Sequence, residues 1–222
     1  MSTLYLVSTP IGNLKDITLR ALDVLGEVDL ILAEDTRKTQ KLLSAHHITK
    51  PIESLHEHNE EARIPSVLNK LRSGKQIALV SDAGTPTLSD PGFKLVRAAL
   101  NKNIKVVPIP GTSSLLAALV PSGLPTDRIL FVGYLPKKPG KKCASLDFIE
   151  FVINKNPTTV VFFESPYRIN KTLQTLAERF PEKELVIARE LTKIHEEFYR
   201  GKVKDLAASV IKQKGEFTLL LR

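Results

Sequence analysis

The sequence predicts an α/β protein made of two α/β domains, the first built mainly on a parallel sheet with helices and the second on a mixed sheet. Short β-rich apolar runs alternate with stretches of helical periodicity along the chain. Both periodicities break in VPSGLPTDR (120–128), where two prolines, a glycine and a turn-forming Asp fall within nine residues. A length of 222 residues is enough for one large domain or two compact ones. The expected domains are therefore 1–125 and 126–222.

In the first domain, Leu4 to Ser8, Leu30 to Ala33, Ile77 to Ser81 and Lys105 to Ile109 read as buried strands. Between them Ile17, Ala21, Val24, Leu25 and Val28 recur at helical spacing, as do Ile64, Val67, Leu68 and Leu71. These stripes face a core. The second domain repeats the alternation, with strands expected at Ile129 to Val132, Thr158 to Phe163, Glu184 to Ala188, Glu196 to Arg200 and Phe217 to Leu221. One of its helices carries Ile169, Leu173, Leu176, Ala177 and Phe180, and another Val203, Leu206, Ala207, Val210 and Ile211. The segment from Tyr134 to Lys142, YLPKKPGKK, is too rich in Pro and Lys for a helix or a central strand and reads as a surface loop.

Composition narrows the function classes. A single cysteine, Cys143, excludes disulfide frameworks, Cys-based zinc clusters and CxxC redox chemistry. No apolar run approaches the ~18 residues that span a bilayer, and the first residues lack a signal-peptide pattern, so the expected location is cytoplasmic. The net charge of +8 favours polyanionic partners, nucleic acid first. With no Trp and 6% aromatics, binding through stacked bases is disfavoured against shape and phosphate contacts.

The familiar phosphate cradles, GxGxxG after the first strand and GxxxxGK[ST], are missing. Three small-residue loops follow strands instead: STPIGNLKDIT from Ser8, SDAGTPTLSDPG from Ser81 and PIPGTSS from Pro108. In an open parallel sheet such loops leave the carboxyl ends of the strands, where ligands sit. Alone, each also reads as a capped turn, and Thr112 or Ser113 as a helix cap. HEH at 56–58, with Glu53 and Glu57, presents alternating donors but lies in the wholly polar SLHEHNEEA, which reads as a hydrated loop, and no metal is expected. His46 and His47 read as a helix end, and Cys143 as a bystander.

Taken in order and spacing, these three loops, AEDTR (33–37), FFESPYRI (162–169) and ARELTKIHEEFYRG (188–201) resemble the tetrapyrrole methylase family of S-adenosylmethionine-dependent methyltransferases, over essentially the whole chain. Within it they resemble most the branch that 2′-O-methylates the ribose of a cytidine in the decoding region of 16S rRNA. The resemblance implies S-adenosyl-L-methionine as cofactor in a cleft between two α/β domains, small-subunit rRNA or the assembled small subunit as substrate, and a homodimer. It implies cofactor contacts at Pro10, Asp82, Gly84, Thr85, Leu88, Ser113 and Ser114, and at Glu164, Glu190, Leu191 and Gly215. Tetrapyrrole methylases read close to GxGPGD after the first strand, where this chain reads STPIGN, which counts against a tetrapyrrole substrate. Relatives of the rRNA branch often carry a further C-terminal extension, whereas this chain stops at Arg222.

A ribose hydroxyl needs a base or a cation at the developing alkoxide. Glu34, Asp35 and Arg37 lie just past the second strand and supply both signs, although Glu34 or Asp35 also suits a helix cap. Lys15, Asp16, Lys193 and His195 are reserve candidates. Lys137, Lys138, Lys141 and Lys142 are expected to be exposed and to contact RNA phosphates. Two competing readings are a methyltransferase of a tetrapyrrole or other small anionic substrate, and a non-catalytic RNA-binding or ribosome-assembly protein.

Overall fold

The computed structural model describes residues 2–222. The chain divides into two compact units, one ending at Ser113 and one running from Ser114 to Arg222.

The first unit holds β1 (Thr3–Val7), a 3-10 turn (Leu14–Asp16), α1 (Leu19–Glu27), β2 (Leu30–Ala33), α2 (Thr36–Ala45), β3 (Ile52–Ser54), α3 (Glu60–Arg72), β4 (Ile77–Val80), α4 (Phe93–Leu100) and β5 (Lys105–Ile109). Its five strands form a parallel sheet in the order β3-β2-β4-β1-β5. Alternation along β2 and β4 divides the apolar side chains between two layers. Leu30, Leu32, Ile77 and Leu79 pack with Val67 and Leu71 of α3 and Leu95 of α4, whereas Ile31, Ala33, Ala78 and Val80 pack with Ala21 and Leu25 of α1 and Leu43 of α2. Strands apolar on both faces are what a doubly covered parallel sheet requires. From β1 the chain moves toward β2 and β3, and from β4 it crosses β1 to reach β5. The neighbours β1 and β4 therefore flank the point where the winding reverses.

The second unit holds α5 (Ser114–Leu119), β6 (Ile129–Tyr134), α6 (Pro139–Lys155), β7 (Thr159–Glu164), α7 (Ile169–Arg179), β8 (Glu184–Arg189), β9 (Glu197–Lys202), α8 (Val203–Ala208) and β10 (Phe217–Leu221). Its sheet, ordered β6-β7-β10-β8-β9, is mixed: β6 runs parallel to β7 and the other pairs are antiparallel. One core joins Leu146 and Ile149 of α6, Leu173 and Leu176 of α7 and Leu206 of α8 to Val160, Phe162, Ile187 and Leu219 of the sheet.

The predicted architecture of a parallel and a mixed sheet is the one observed. Three details differ. The division falls after Ser113, not near 125, because α5 buries Leu115, Ala118 and Leu119 and lies against β7 and β10. The presumed lysine loop is cut short: Pro139 opens the 17-residue helix α6, at a position where its missing N–H is no loss. The last helix stops at Ala208, leaving Val210 exposed and Ile211 buried from an irregular segment.

Candidate functional site

At the carboxyl edge of the parallel sheet the three small-residue loops of the first unit are stitched together. Thr9 and Gly84 form an isolated antiparallel bridge, each N–H reaching the other's carbonyl at 2.9 Å. The Ser8 hydroxyl donates to Thr85 Oγ1 (3.3 Å), which donates to the Thr112 carbonyl (3.1 Å). Thr112 in turn donates from Oγ1 to the Thr9 carbonyl, and Thr9 Oγ1 to the Ser81 carbonyl (3.3 Å). Small residues permit this approach. A Cβ on Gly111 would stand 2.9 Å from that of Ser8, and Gly84 has φ +81 with Ile11 3.3 Å from where its Cβ would lie.

The β4 loop carries backbone strain as well. Thr87 and Ser89 adopt φ of 71° and 65°, conformations that cost a β-branched residue most. The same loop holds Asp90, whose carboxyl is pushed up to about 6 by burial and by the negative charges of Glu34 and Asp82, against the Ser81 hydroxyl that hydrogen-bonds it. Burial also raises Glu34, with the negative charge of Asp82 adding to the rise and a hydrogen bond from the Asp82 backbone, Lys38 and His56 opposing it.

Asp82 ties α2 to this edge. Its Oδ1 accepts from the Asp35 N–H (2.9 Å) and its Oδ2 from Lys38 Nζ (2.6 Å). Asp35 caps α2 by accepting from the Arg37 N–H, and the Arg37 side chain clasps it through Nε (3.0 Å) and Nη2 (2.7 Å), so the guanidinium holds its carboxyl well below the usual range. Of the three predicted catalytic residues, Asp35 and Arg37 are thus engaged with each other, and Glu34 stands among the carboxylates of the β4 loop. A pocket of about 130 Å³ opens beside the junction of β1 and β4. It is lined by Thr9, Pro10 and Leu14, by Lys38, Thr39, Lys41 and Leu42 of α2, and by Ser81 and Asp82.

Pro10, Asp82, Gly84 and Thr85 are accordingly brought together, Leu88 lies partly exposed on the strained loop, and Ser113 ends the unit. Lys15 follows the Leu14 wall, and Asp16 keeps a buried oxygen without a partner. Lys38, Lys41 and Asp90 were not foreseen. The signal for the first two was their i, i+3 spacing in TRKTQK, which places both on one helix face.

In the second unit Ser114 begins α5. Glu164 is buried and fully engaged, Oε1 accepting from the Ser165 N–H and Arg168 Nε (both 2.7 Å) and Oε2 from the Thr172 hydroxyl (2.7 Å). Glu190, at φ 52°, takes the Glu216 N–H (3.0 Å) and Lys193 Nζ (2.8 Å). Burial would raise its carboxyl, but those donors outweigh it and the net shift is downward. Gly215, at φ +99, leaves the space that Glu190 fills, since a Cβ there would meet it at 2.5 Å, and Leu191 is buried beside this turn. The reserve candidates Lys193 and His195 belong to the same turn, the His195 carbonyl accepting from the nearly buried Arg189.

The lysine prediction needs correction. Lys141 and Lys142 lie in the first turn of α6, and Lys142 Nζ folds back onto Thr172 (3.2 Å) and Thr175 (3.5 Å) of α7, with burial lowering its ammonium. Lys137 and Lys138 stay in an exposed connection and Lys141 is exposed on the helix, so of the four only Lys142 is drawn in. His56 and His58 lie in the turn entering α3, where Asn59 accepts from the His56 N–H at 2.8 Å. Glu53 pairs with Lys70 and Arg63. No group of three or more potential metal ligands occurs among the described residues.

Comparison with known proteins agrees with this architecture. The family model "Tetrapyrrole (Corrin/Porphyrin) Methylases" matches residues 3–207. Proteins named ribosomal RNA small subunit methyltransferase I are similar over the whole chain. The one from Thermotoga maritima is 45% identical and 98% covered, that from Synechocystis sp. 47% and 79%, and that from Bacillus subtilis 43% and 75%. Among solved structures, the native form of uroporphyrin III C-methyltransferase from Thermus thermophilus superposes with a TM-score of 0.69 at 19% identity, covering 98% of this chain and 96% of that one. A cobalt precorrin-4 methyltransferase gives 0.68 at 18%, covering 98% and 94%. These structures share the fold. On the family match and the full-length relatives, this chain belongs to the tetrapyrrole methylase family.

Proposed function

We propose that the chain transfers a methyl group from S-adenosylmethionine to the 2′-hydroxyl of a cytidine ribose in the decoding region of small-subunit rRNA. The observation that carries this reading is the 43–47% identity, over essentially its full length, to proteins named ribosomal RNA small subunit methyltransferase I. The tetrapyrrole alternative has fold likeness behind it at 18–19% identity, and the STPIGN loop speaks against it.

The loop edge of the first unit suits such a cofactor. Small residues bring backbone carbonyls and hydroxyls of three loops together without side chains that would fill the space, and Thr85 remains exposed. Pro10, Asp82, Gly84, Thr85, Leu88 and Ser113 are the residues proposed to hold it here. Ser114, Glu190, Leu191 and Gly215 are proposed from the second unit, and Glu164 is proposed to act by fixing Arg168 and α7. When bound, S-adenosylmethionine supplies an electrophilic methyl group on a sulfonium.

A 2′-hydroxyl acceptor would have to be held against that methyl group and give up its proton. Most of the rate then comes from holding a near-attack geometry. Glu34 is the group proposed to receive the proton, because it stands beside Asp82 of the loop proposed to hold the cofactor and burial raises its carboxyl. Asp35 and Arg37 position it by fixing the start of α2.

The proposed substrate places the enzyme in the cytoplasm, and no helix among the described residues is long and apolar enough to cross a membrane. A homodimer is proposed as the working form, to be checked by light scattering. The activity is tested by incubating the protein with labelled S-adenosylmethionine and small ribosomal subunits lacking the modification. Label in 2′-O-methylcytidine supports the reading, and label confined to a base or absent opposes it.

A further inference from the structure

We propose that the pocket at the β1–β4 junction is a phosphate subsite for the RNA strand, and that Lys41 is its anion-binding cation. This deepens the RNA-methyltransferase reading and rests on it.

The pocket has three ionisable groups in its lining: Lys38, Lys41 and Asp82. Asp82 and Lys38 form an ion pair at 2.6 Å, so their charges largely offset. Lys41, one helical turn on from Lys38 and on the same face of α2, is exposed and faces no carboxylate in the pocket, so the lining carries one positive charge in excess; Glu34 and Asp90, which act on Asp82, are not part of that lining. The other walls are hydroxyl groups and apolar surface: Thr9, Thr39 and Ser81 beside Pro10, Leu14 and Leu42. A sugar edge packs on such apolar walls, and a phosphodiester oxygen suits a lone ammonium, which binds phosphate as a point charge. The position also fits the chemistry. The pocket shares Thr9, Pro10 and Asp82 with the loop edge proposed to hold the cofactor, so a phosphate there lies on a strand passing that edge.

Neutralising one phosphate of single-stranded RNA contributes a slope of about 0.7 to the dependence of log affinity on log salt, which near 0.1 M corresponds to about a fivefold gain in affinity. The test is fluorescence-anisotropy binding of a labelled small-subunit rRNA fragment to the full chain across a salt series, for the parent, Lys41→Ala and Lys41→Arg. Alanine is the best helix former, so Lys41→Ala should fold on the exposed face of α2. The expected result is about fivefold weaker RNA binding for Lys41→Ala at 0.1 M salt, a salt slope shallower by about 0.7, recovery in Lys41→Arg and unchanged S-adenosylmethionine affinity. Identical affinity and slope for parent and Lys41→Ala would overturn the proposal, as would loss of cofactor affinity in Lys41→Ala, which would give the pocket to the cofactor. Binding is read without turnover, so a parent that bound RNA through Lys41 but transferred no methyl group would refute the enzymatic reading and leave the subsite standing.

Discussion

The two units fix their loops by different chemistry. At the carboxyl edge of the parallel sheet, Ser8, Thr9, Thr85 and Thr112 join three loops through neutral hydroxyl and backbone bonds. In the second unit the corresponding work is done by charges: Glu164 with Arg168, Arg189 with Glu197 and the Lys214 carbonyl, and Glu190 with Lys193. Where neutral groups hold the backbone, nearby charges such as Lys41 and Asp90 stay outside the ion pairs found among the described residues. Where ion pairs hold it, the charges are already committed and their loss threatens the fold.

Substitutions in the two units should therefore differ in cost. Glu164→Ala leaves Arg168 without its anion and Thr172 without its acceptor, and should destabilise the second unit by about 3–5 kcal/mol. Thr85→Ala removes the hydroxyl of an exposed residue and should cost no more than about 1 kcal/mol. Denaturant unfolding of both variants checks the contrast, and comparable losses would erase it.

Gly84→Val places a β-branched residue at φ +81 against Ile11 and the Thr9 bridge. The strain is about 1–3 kcal/mol, and the larger consequence should be at least tenfold weaker S-adenosylmethionine binding by calorimetric titration. Unchanged cofactor affinity would move the proposed site away from this loop.

A pH experiment sharpens the contrast further. Asp90 is raised from 3.8 to about 6, so between those values the folded chain holds a proton that the unfolded chain has released. This carboxyl therefore contributes stability below about pH 4 that is lost as pH rises through about 6. Asp90→Asn should remove that decline, melting a few degrees above the parent near pH 7.5 and close to it near pH 4. A parent whose stability stays flat between pH 4 and 6.5 would contradict the assignment.

The smallest effects are expected in the lysine segment. Lys137→Ala/Lys138→Ala should reduce RNA affinity through at most two exposed contacts, a slope change of up to about 1.4. Lys142→Ala should leave RNA binding unchanged and lose only its bonds to α7, which a small drop in melting temperature would register.

The legible parts of the molecule were those governed by local pattern. The strands stand out because Ile31 and Ala33, or Ile77 and Leu79, are apolar whichever face they turn to. The three ligand loops stand out because close backbone contact, as between Gly111 and Ser8, requires small residues. The start of α6 was hidden because PKKPGKK carries the composition of a loop, and only the packing of Leu146 and Ile149 on the sheet commits those residues to a helix. The pocket was hidden for a related reason. Lys38 and Lys41 are ordinary surface lysines in sequence, and only the folding of α2 against the β4 loop sets one beside Asp82 and leaves the other unpaired in the pocket.

The proposed methylation of a ribose in small-subunit rRNA is tested by mass-spectrometric mapping of ribose methylation in 16S rRNA from cells lacking the protein and from the same cells after its return. One cytidine in the decoding region should lose its 2′-O-methyl group in the first and regain it in the second. A methylation map identical in both would contradict it.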